Sequence, residues 1–116
     1  MSPDRIRGEA RDLVTDPGND LLLSAASAWE IAIKYRLGKL PLPEPPDAFV
    51  PPRLLRDGVT AIAVEPHHAL HVANLPGHHD DPFDRLLVAQ AMLEKLTLMT
   101  ADRKLAAYDV ECVLVD

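Results

Sequence analysis

Cysteine is nearly absent from this chain, in which Cys112 stands alone. A single cysteine cannot form an internal disulfide, which excludes a disulfide-stapled domain and favours a reducing compartment. Long apolar runs are missing too: none approaches the roughly 18 residues of a membrane span, and the N-terminus shows no apolar signal core. We therefore expect a cytoplasmic protein without a membrane segment.

Positive charge and aromatic side chains are also scarce. Lys and Arg number 12 against 18 Asp and Glu, for a net charge of −6, which argues against broad electrostatic binding of nucleic acid. An acidic site can still meet phosphate through the cations that it binds. Aromatic residues make up 4% and are not interleaved with basic ones. Trp29 is therefore interpreted as a core or interface residue rather than a base-stacking platform.

What the chain does contain is an alternation of short apolar runs and helical patterns. With 116 residues, 47% of them hydrophobic, we expect one domain, residues 1–116, with a single core. The alternation predicts an α/β fold with a mostly parallel sheet. The expected strands are residues 21–23, 59–64, 96–99 and 111–115, and the expected helices are residues 2–14, 24–38, 66–74, 81–95 and 100–108. Residues 40–52 hold six of the 11 prolines and are expected to be extended, with a short helix at 53–56.

Residues 81–95 are the stretch around which the rest is organised. Asp81 is suited to the N-cap of a helix, and Pro82 then falls at the first helical position. Asp84 follows at the third position, near the positive end of the helix dipole. The residues behind it are apolar nearly all round, which is typical of a helix buried in a core. A charged side chain at the N-terminus of such a buried helix needs a structural or functional explanation.

Three carboxylates share this setting. Glu30, Asp84 and Asp102 are each predicted to open a helix, and in a parallel sheet helices that follow strands begin at the carboxyl edge, where ligand sites gather. Clustered carboxylates repel one another unless a cation compensates, and oxygen ligands favour Mg²⁺ or Mn²⁺. The alternative is plain helix capping, since Glu30 stands at capping-box spacing from Ser27. Gly38 is the expected C-cap of that helix.

Five histidines offer a second possible site. Three lie at helical spacing and two adjoin Asp80 and Asp81; they are His67, His68, His71, His78 and His79. This pattern suggests zinc, but no Cys lies near to supply a further fixed ligand. We favour solvated or capping histidines, with His79 near enough to the acids to touch a substrate.

Three segments of the sequence resemble signatures of the PIN-domain family, in the form found in VapC-type toxins of toxin–antitoxin pairs. The first is Ser-Ala-Ala-Ser-Ala-Trp-Glu-Ile-Ala-Ile-Lys at residues 24–34, with Leu-Gly-Lys-Leu at 37–40 after it. The second is His-Asp-Asp-Pro-Phe-Asp-Arg-Leu-Leu-Val-Ala-Gln-Ala at residues 79–91, and the third is Leu-Met-Thr-Ala-Asp at residues 98–102. They occur in the family's order, and the resemblance covers almost the whole chain.

The resemblance implies a three-layer α/β/α domain that hydrolyses RNA phosphodiester bonds with Mg²⁺ or Mn²⁺, a metal-dependent endoribonuclease. It also implies a homodimer that a cognate antitoxin neutralises. By position in the motifs, Glu30, Asp84 and Asp102 would be the catalytic, metal-binding acids. Thr100 would orient Asp102 or a water, Asp81 would be mainly a cap, and Arg85 would pair with an acid or meet phosphate.

The N-terminus departs from the family pattern. PIN domains of this type begin with an apolar strand that ends in an aspartate and lies in the middle of the sheet. Here the chain starts at Met1, which would fall after that strand and the helix that follows it. We therefore expect a PIN-like domain truncated at its N-terminus, without its first central strand. The alternative function is a catalytically inactive remnant that binds an antitoxin or a dimer partner.

Overall fold

The computed structural model describes the backbone of residues 8–115 and the side chains of residues 12–115. The helices are α1 (Gly8–Thr15), α2 (Ala25–Arg36), α3 (Pro46–Asp57), α4 (Pro66–His71) and α5 (Pro82–Glu94), with 3₁₀ turns at Val72–Asn74 and Arg103–Ala107. The strands are β1 (Leu21–Ser24), β2 (Val59–Ile62), β3 (Leu98–Thr100) and β4 (Cys112–Leu114). The expected start of the first helix, at residues 2–7, lies outside the described residues.

Both strand pairs in the described residues are parallel. Strand β1 pairs with β2 from Leu21 opposite Val59, and β3 pairs with β4 from Leu98 opposite Cys112. Parallel strands joined through helices confirm the α/β class. Within residues 8–115, none of the helices has both the length and the apolar character that a membrane crossing requires.

The residues of the chain group by their contacts into two compact units. One unit holds residues 20–64, with β1, α2, α3 and β2, and the other holds the segments before and after it. The expectation of one domain over residues 1–116 stays a prediction.

The N-cap of helix α2 lies three residues before the serine that the capping-box spacing suggested. Ser24 is its N-cap, and the Ser24 hydroxyl accepts a hydrogen bond from the Ala26 N–H at 3.1 Å. The expected capping box of Ser27 and Glu30 is therefore wrong, because an earlier serine, at the end of β1, already caps the helix. Glu30 lies in the second turn of α2 and does not open the helix.

The end of α2 agrees with the prediction. Gly38 has a left-handed φ of 74°, and its N–H donates to the Tyr35 carbonyl while the Lys39 N–H donates to the Lys34 carbonyl. These two bonds form a Schellman motif, in which a glycine avoids the Cβ penalty of the left-handed conformation.

Helix α3 contradicts the expected extended segment at residues 40–52. It begins at Pro46, and Pro51 and Pro52 lie inside it. The half-buried residues, spaced at intervals of three and four, form one helical face: Pro46, Phe49, Val50, Arg53 and Leu54. Pro51 and Pro52 are exposed on the other side. The helical spacing of the buried face outweighs the two hydrogen bonds that the prolines remove.

Helix α5 is buried, as predicted, in the unit that holds residues 65–115. Four consecutive residues, Val88, Ala89, Gln90 and Ala91, are buried, so the helix is enclosed on every side along that turn. Its core partners are Leu75, Leu105 and Tyr108.

The segment after β3 differs from the expected helix at 100–108. Thr100 still belongs to β3, where it pairs with Leu114, and the following turn is a 3₁₀ helix at Arg103–Ala107 whose N-cap is Asp102. Thr100 therefore ends a strand and does not begin a helix.

Candidate active site

The N-terminus of α5 places Asp84 as the sequence predicted. The Asp81 carboxylate accepts hydrogen bonds from the N–H groups of Phe83 at 2.8 Å and Asp84 at 3.3 Å. Pro82 fills the first helical position, where a missing N–H costs no hydrogen bond. The cap thereby fixes the first turn, from which the Asp84 side chain, 22% exposed, projects.

Asp102 is held in the turn that follows β3. Its Oδ1 accepts a hydrogen bond from the Lys104 N–H at 2.9 Å, and its own N–H donates to the Thr100 hydroxyl oxygen at 3.1 Å. Thr100 thus contacts the backbone of Asp102, and the orienting role that the resemblance implied for it stays a prediction.

His79 lies between these two acids. Its Nε2 is 2.6 Å from Oδ2 of Asp102 and 3.2 Å from Oδ2 of Asp84. The His79 side chain is 13% exposed. The acids of α5 and of the β3 turn therefore converge, with an imidazole nitrogen joining them. Proximity of His79 to the acids was expected from the sequence, but this bridge was not.

The charge on Asp102 is stabilised by its surroundings. The Lys104 backbone N–H, and after it the hydrogen bond from His79, hold the pKa of Asp102 below its ordinary value. Hydrogen bonds to a carboxylate favour the ionised form. Asp102 therefore stays ionised at lower pH than an ordinary aspartate does.

Arg85 fastens the loop that carries His79. Its Nη1 donates to the carbonyl oxygens of Pro76 and His79 and to the Tyr108 hydroxyl, and its Nη2 donates to the carbonyl oxygens of Val72 and Leu75. These partners are backbone and phenol oxygens rather than the acid or phosphate that the sequence suggested. Arg85 therefore acts on the site indirectly, by holding the loop that carries His79.

Tyr108 completes this support. Its side chain is 4% exposed, and its hydroxyl accepts hydrogen bonds from the His79 N–H at 3.0 Å and from Arg85 at 3.3 Å. No sequence pattern predicts this role, because a tyrosine 29 positions after His79 contacts it only through the tertiary fold.

Glu30 belongs to the unit of residues 20–64. On α2 its carboxylate forms an ion pair with Lys34, one turn later, at 3.3 Å. The side chain is 22% exposed. Its place as a third acid of the site is a proposal that depends on its motif.

The chemistry of the converging groups fits a hard divalent cation. His79, Asp84 and Asp102 each offer one ligand atom, and these atoms lie within 4.8 Å of one another. The two carboxylates supply the oxygen ligands that Mg²⁺ and Mn²⁺ prefer. Residues 84 and 102 therefore fit the metal-binding role that the resemblance implied.

Among the other histidines, His67 and His68 lie with Glu94 in a second group whose ligand atoms are within 4.8 Å of one another, but the hydrogen bonds of His68 argue against the zinc site that the spacing suggested. His68, 2% exposed, accepts the Glu65 N–H at its Nδ1, so its Nε2 carries the proton that points to Glu94 at 2.8 Å. A nitrogen that holds a proton has no lone pair for a metal. His67, at 3.9 Å from Glu94, adds one ligand only. His68 is a buried link between α4 and α5.

Comparison with known proteins identifies a family and a curated relative. The profile of the PIN domain family matches residues 2–111. Ribonuclease VapC16 of Mycobacterium tuberculosis (strain ATCC 25618 / H37Rv) is 56% identical over 63 residues, which are 54% of this chain and 45% of that protein. The chain thus spans less than half the length of this curated relative. No solved structure matches the chain.

Proposed function

Because the chain belongs to the PIN-domain family, we propose that it is a metal-dependent endoribonuclease, the toxin component of a type II toxin–antitoxin pair. One observation of the structure supports this proposal above the others. Asp84 and Asp102, 18 positions apart in the chain, present their Oδ2 atoms to the same His79 nitrogen. Simple helix capping requires neither this convergence nor the shared donor.

Asp84 and Asp102 would hold Mg²⁺ or Mn²⁺, with Glu30 as the third acid. When bound, such a cation offsets the charge of a phosphodiester and lowers the pKa of a coordinated water. The residues of the chain place the acids: Asp81 fixes the turn of Asp84, Thr100 fixes the backbone of Asp102, and Lys104 keeps Asp102 ionised. Hydrolysis would follow in-line attack of water on phosphorus, for which positioning and charge are the main requirements.

RNA would be the substrate, and the name of the relative Ribonuclease VapC16 supports that choice over DNA. The protein partners would be a cognate antitoxin and a second copy of the chain, in the cytoplasm. The lone Cys112 suits a reducing compartment.

Cleavage of a structured RNA in the presence of Mn²⁺ tests the proposal. We expect cleavage by the wild-type chain and its loss in Asp84→Asn, Asp102→Asn and Glu30→Gln, because each change removes a charge on which the cation depends. The control is Asp109→Asn, which removes the charge of an exposed acid of the same unit and should cleave like the wild type. Cleavage by Asp84→Asn at the wild-type rate, or no cleavage by any of the chains, would overturn the proposal.

A further inference from the structure

The position of His79 between two acids is the feature of the site that the proposed function leaves unused. Two carboxylates close together repel each other, and the repulsion favours side-chain conformations in which they separate. The Nε2 atom of His79 lies within 3.2 Å of an oxygen of each, on Asp84 and on Asp102. A hydrogen-bond donor at that point opposes the separation.

The proton of the ring is located by the neighbouring backbone. His79 Nδ1 lies 3.0 Å from the Asp81 nitrogen and accepts its N–H. A neutral imidazole has one accepting and one donating nitrogen, so the proton is on Nε2, facing the acids. With the proton there, Nε2 has no lone pair to offer a metal ion. His79 is therefore not a ligand in this arrangement, although it lies among the ligand atoms.

The ring is also held from its main chain. The His79 N–H donates to the hydroxyl of Tyr108, and the His79 carbonyl accepts from Arg85. Together with the Asp81 N–H, these bonds fix both the backbone and the ring of His79. Because the His79 ring is held in one orientation, it can in turn hold the carboxylates that it contacts in fixed positions.

We propose that His79 is a positioning residue, whose Nε2–H holds Asp84 and Asp102 at the spacing that a divalent cation requires. The inference rests on the proposed function. An ionised carboxylate has about four lone-pair sites; Asp102 gives one to the Lys104 N–H and one to His79, which leaves sites for a cation. Outer hydrogen bonds of this kind orient metal ligands, and their removal typically weakens metal binding by about 10–100-fold.

Two substitutions separate the contact with the acids from the contact with the loop. In His79→Asn, a short amide can replace Nδ1 as acceptor for the Asp81 N–H but does not reach the acids. In His79→Gln, the longer amide carries an N–H to the place of Nε2 and lacks the acceptor for Asp81. His78→Asn serves as the matched control, since His78 is exposed and packs with its ring against Tyr108 at 4.9 Å between centroids.

Mn²⁺ binding, followed by the electron paramagnetic resonance of the free ion, is the first readout. We expect His79→Asn to bind Mn²⁺ about 10–100-fold more weakly than the wild type. His79→Gln should regain most of the lost affinity, and His78→Asn should equal the wild type. Equal affinity of His79→Asn and the wild type would overturn the inference and leave the proposed function intact. Equal losses in both His79 variants would overturn it too, because His79→Gln restores the donor to the acids and would then recover none of the lost affinity.

The tautomer of His79 is the second readout, and it requires no activity. Long-range ¹H–¹⁵N correlation spectra of the wild type at pH 8 should show the Nε2–H tautomer without metal and with saturating Mg²⁺. An Nδ1–H tautomer in the Mg²⁺ state would make His79 a ligand and overturn the inference. A wild type that keeps the Nε2–H tautomer but binds no Mn²⁺ would instead overturn the proposed function, and the role in metal binding with it.

Discussion

At the scale of the residue, several of the hydrogen bonds that build the site use a backbone N–H. Asp81 accepts two, Asp102 accepts one from Lys104, and His79 accepts one from Asp81. Backbone donors lose little conformational freedom when they bind, so they fix side chains at a lower entropic cost than flexible side-chain donors do. The Asp81 cap and the Asp102 turn are therefore fixed largely by the backbone itself.

The titration of Asp102 follows from these bonds. Its pKa should lie below the ordinary value of 3.8, chiefly because of the Lys104 N–H and then because of His79. A pKa lowered in the folded state means that ionised Asp102 stabilises the fold above pH 3.8 and that this contribution is lost as the pH falls through the folded pKa. A ¹³C titration of the Asp102 carboxyl measures the shift.

The His79→Asn variant is the comparison for this titration. Without the donor at Nε2, the pKa of Asp102 should rise toward 3.8 yet stay below it, since the Lys104 N–H remains. A wild-type pKa at or above 3.8 would contradict the hydrogen-bond geometry described for Asp102.

At the scale of the element, α3 shows how a helix tolerates prolines on one side. Pro51 and Pro52 remove the donors that would reach the carbonyls of Asp47 and Ala48, four residues earlier. The half-buried face compensates: the Arg53 guanidinium lies 3.4 Å from the centroid of the Phe49 ring, and Arg53 Nη1 donates to the Phe49 carbonyl at 2.8 Å. The contacts of the half-buried face therefore stabilise α3, although the exposed face lacks two backbone hydrogen bonds.

Replacing Pro52 by Ala should stabilise the protein. The change restores an N–H for the Ala48 carbonyl and frees Pro51 from the steric restriction that a following proline imposes on a helical residue. We expect a gain of about 1 kcal/mol in the free energy of unfolding. This is part of the roughly 3 kcal/mol by which Ala is more favourable than Pro inside a helix. Urea unfolding of the wild type and the variant measures the difference.

Pro46→Ala is the matched control for this change. Pro46 occupies the first position of α3, where its missing N–H has no partner to lose. This variant should gain nothing and should fall slightly below the wild type, because the unfolded chain becomes more flexible. A gain from Pro46→Ala equal to that from Pro52→Ala would show that the helical position of the proline does not matter.

The same elements show what a sequence can reveal. Helix α5 was predictable because Asp81, Pro82 and the apolar run agree with one another, so local and tertiary preferences coincide. Helix α3 was mispredicted because proline dominates local propensity, while the spacing of its buried face takes effect only when the helix packs. The first turn of α2 was misplaced because two serines compete as caps, and Ser24 is the one at the end of β1.

The candidate site divides in the same way. Asp84 and Asp102 could be predicted as site residues because motifs and the ends of helices and strands are recognisable from local sequence. The bridge by His79 depends on the ring tautomer and on a fold that brings residue 79 to residue 102. Neither can be predicted from local sequence. Arg85 was visible as a charge, but its carbonyl partners appear only in the folded loop.

At the scale of the whole molecule, the net charge of −6 sets a condition on function. A polyanion such as RNA is repelled by an acidic protein, and the repulsion is strongest where carboxylates cluster. Cations bound at Asp84 and Asp102 would reverse the local charge at the point where phosphate must approach. Metal binding would then be required for substrate binding as well as for hydrolysis.

Metal binding at this site should also stabilise the folded chain. A ligand that binds only the folded state adds about 2.7 kcal/mol when its free concentration is 100 times its Kd, which for a domain of this size raises Tm by on the order of 10 °C. We expect Mn²⁺ to raise the Tm of the wild type and of Asp109→Asn, and EDTA to reverse the rise. Asp84→Asn and Asp102→Asn should show little response, since each loses a ligand. If the acids served only as helix caps, Mn²⁺ would leave all four melting curves unchanged, because capping needs no cation.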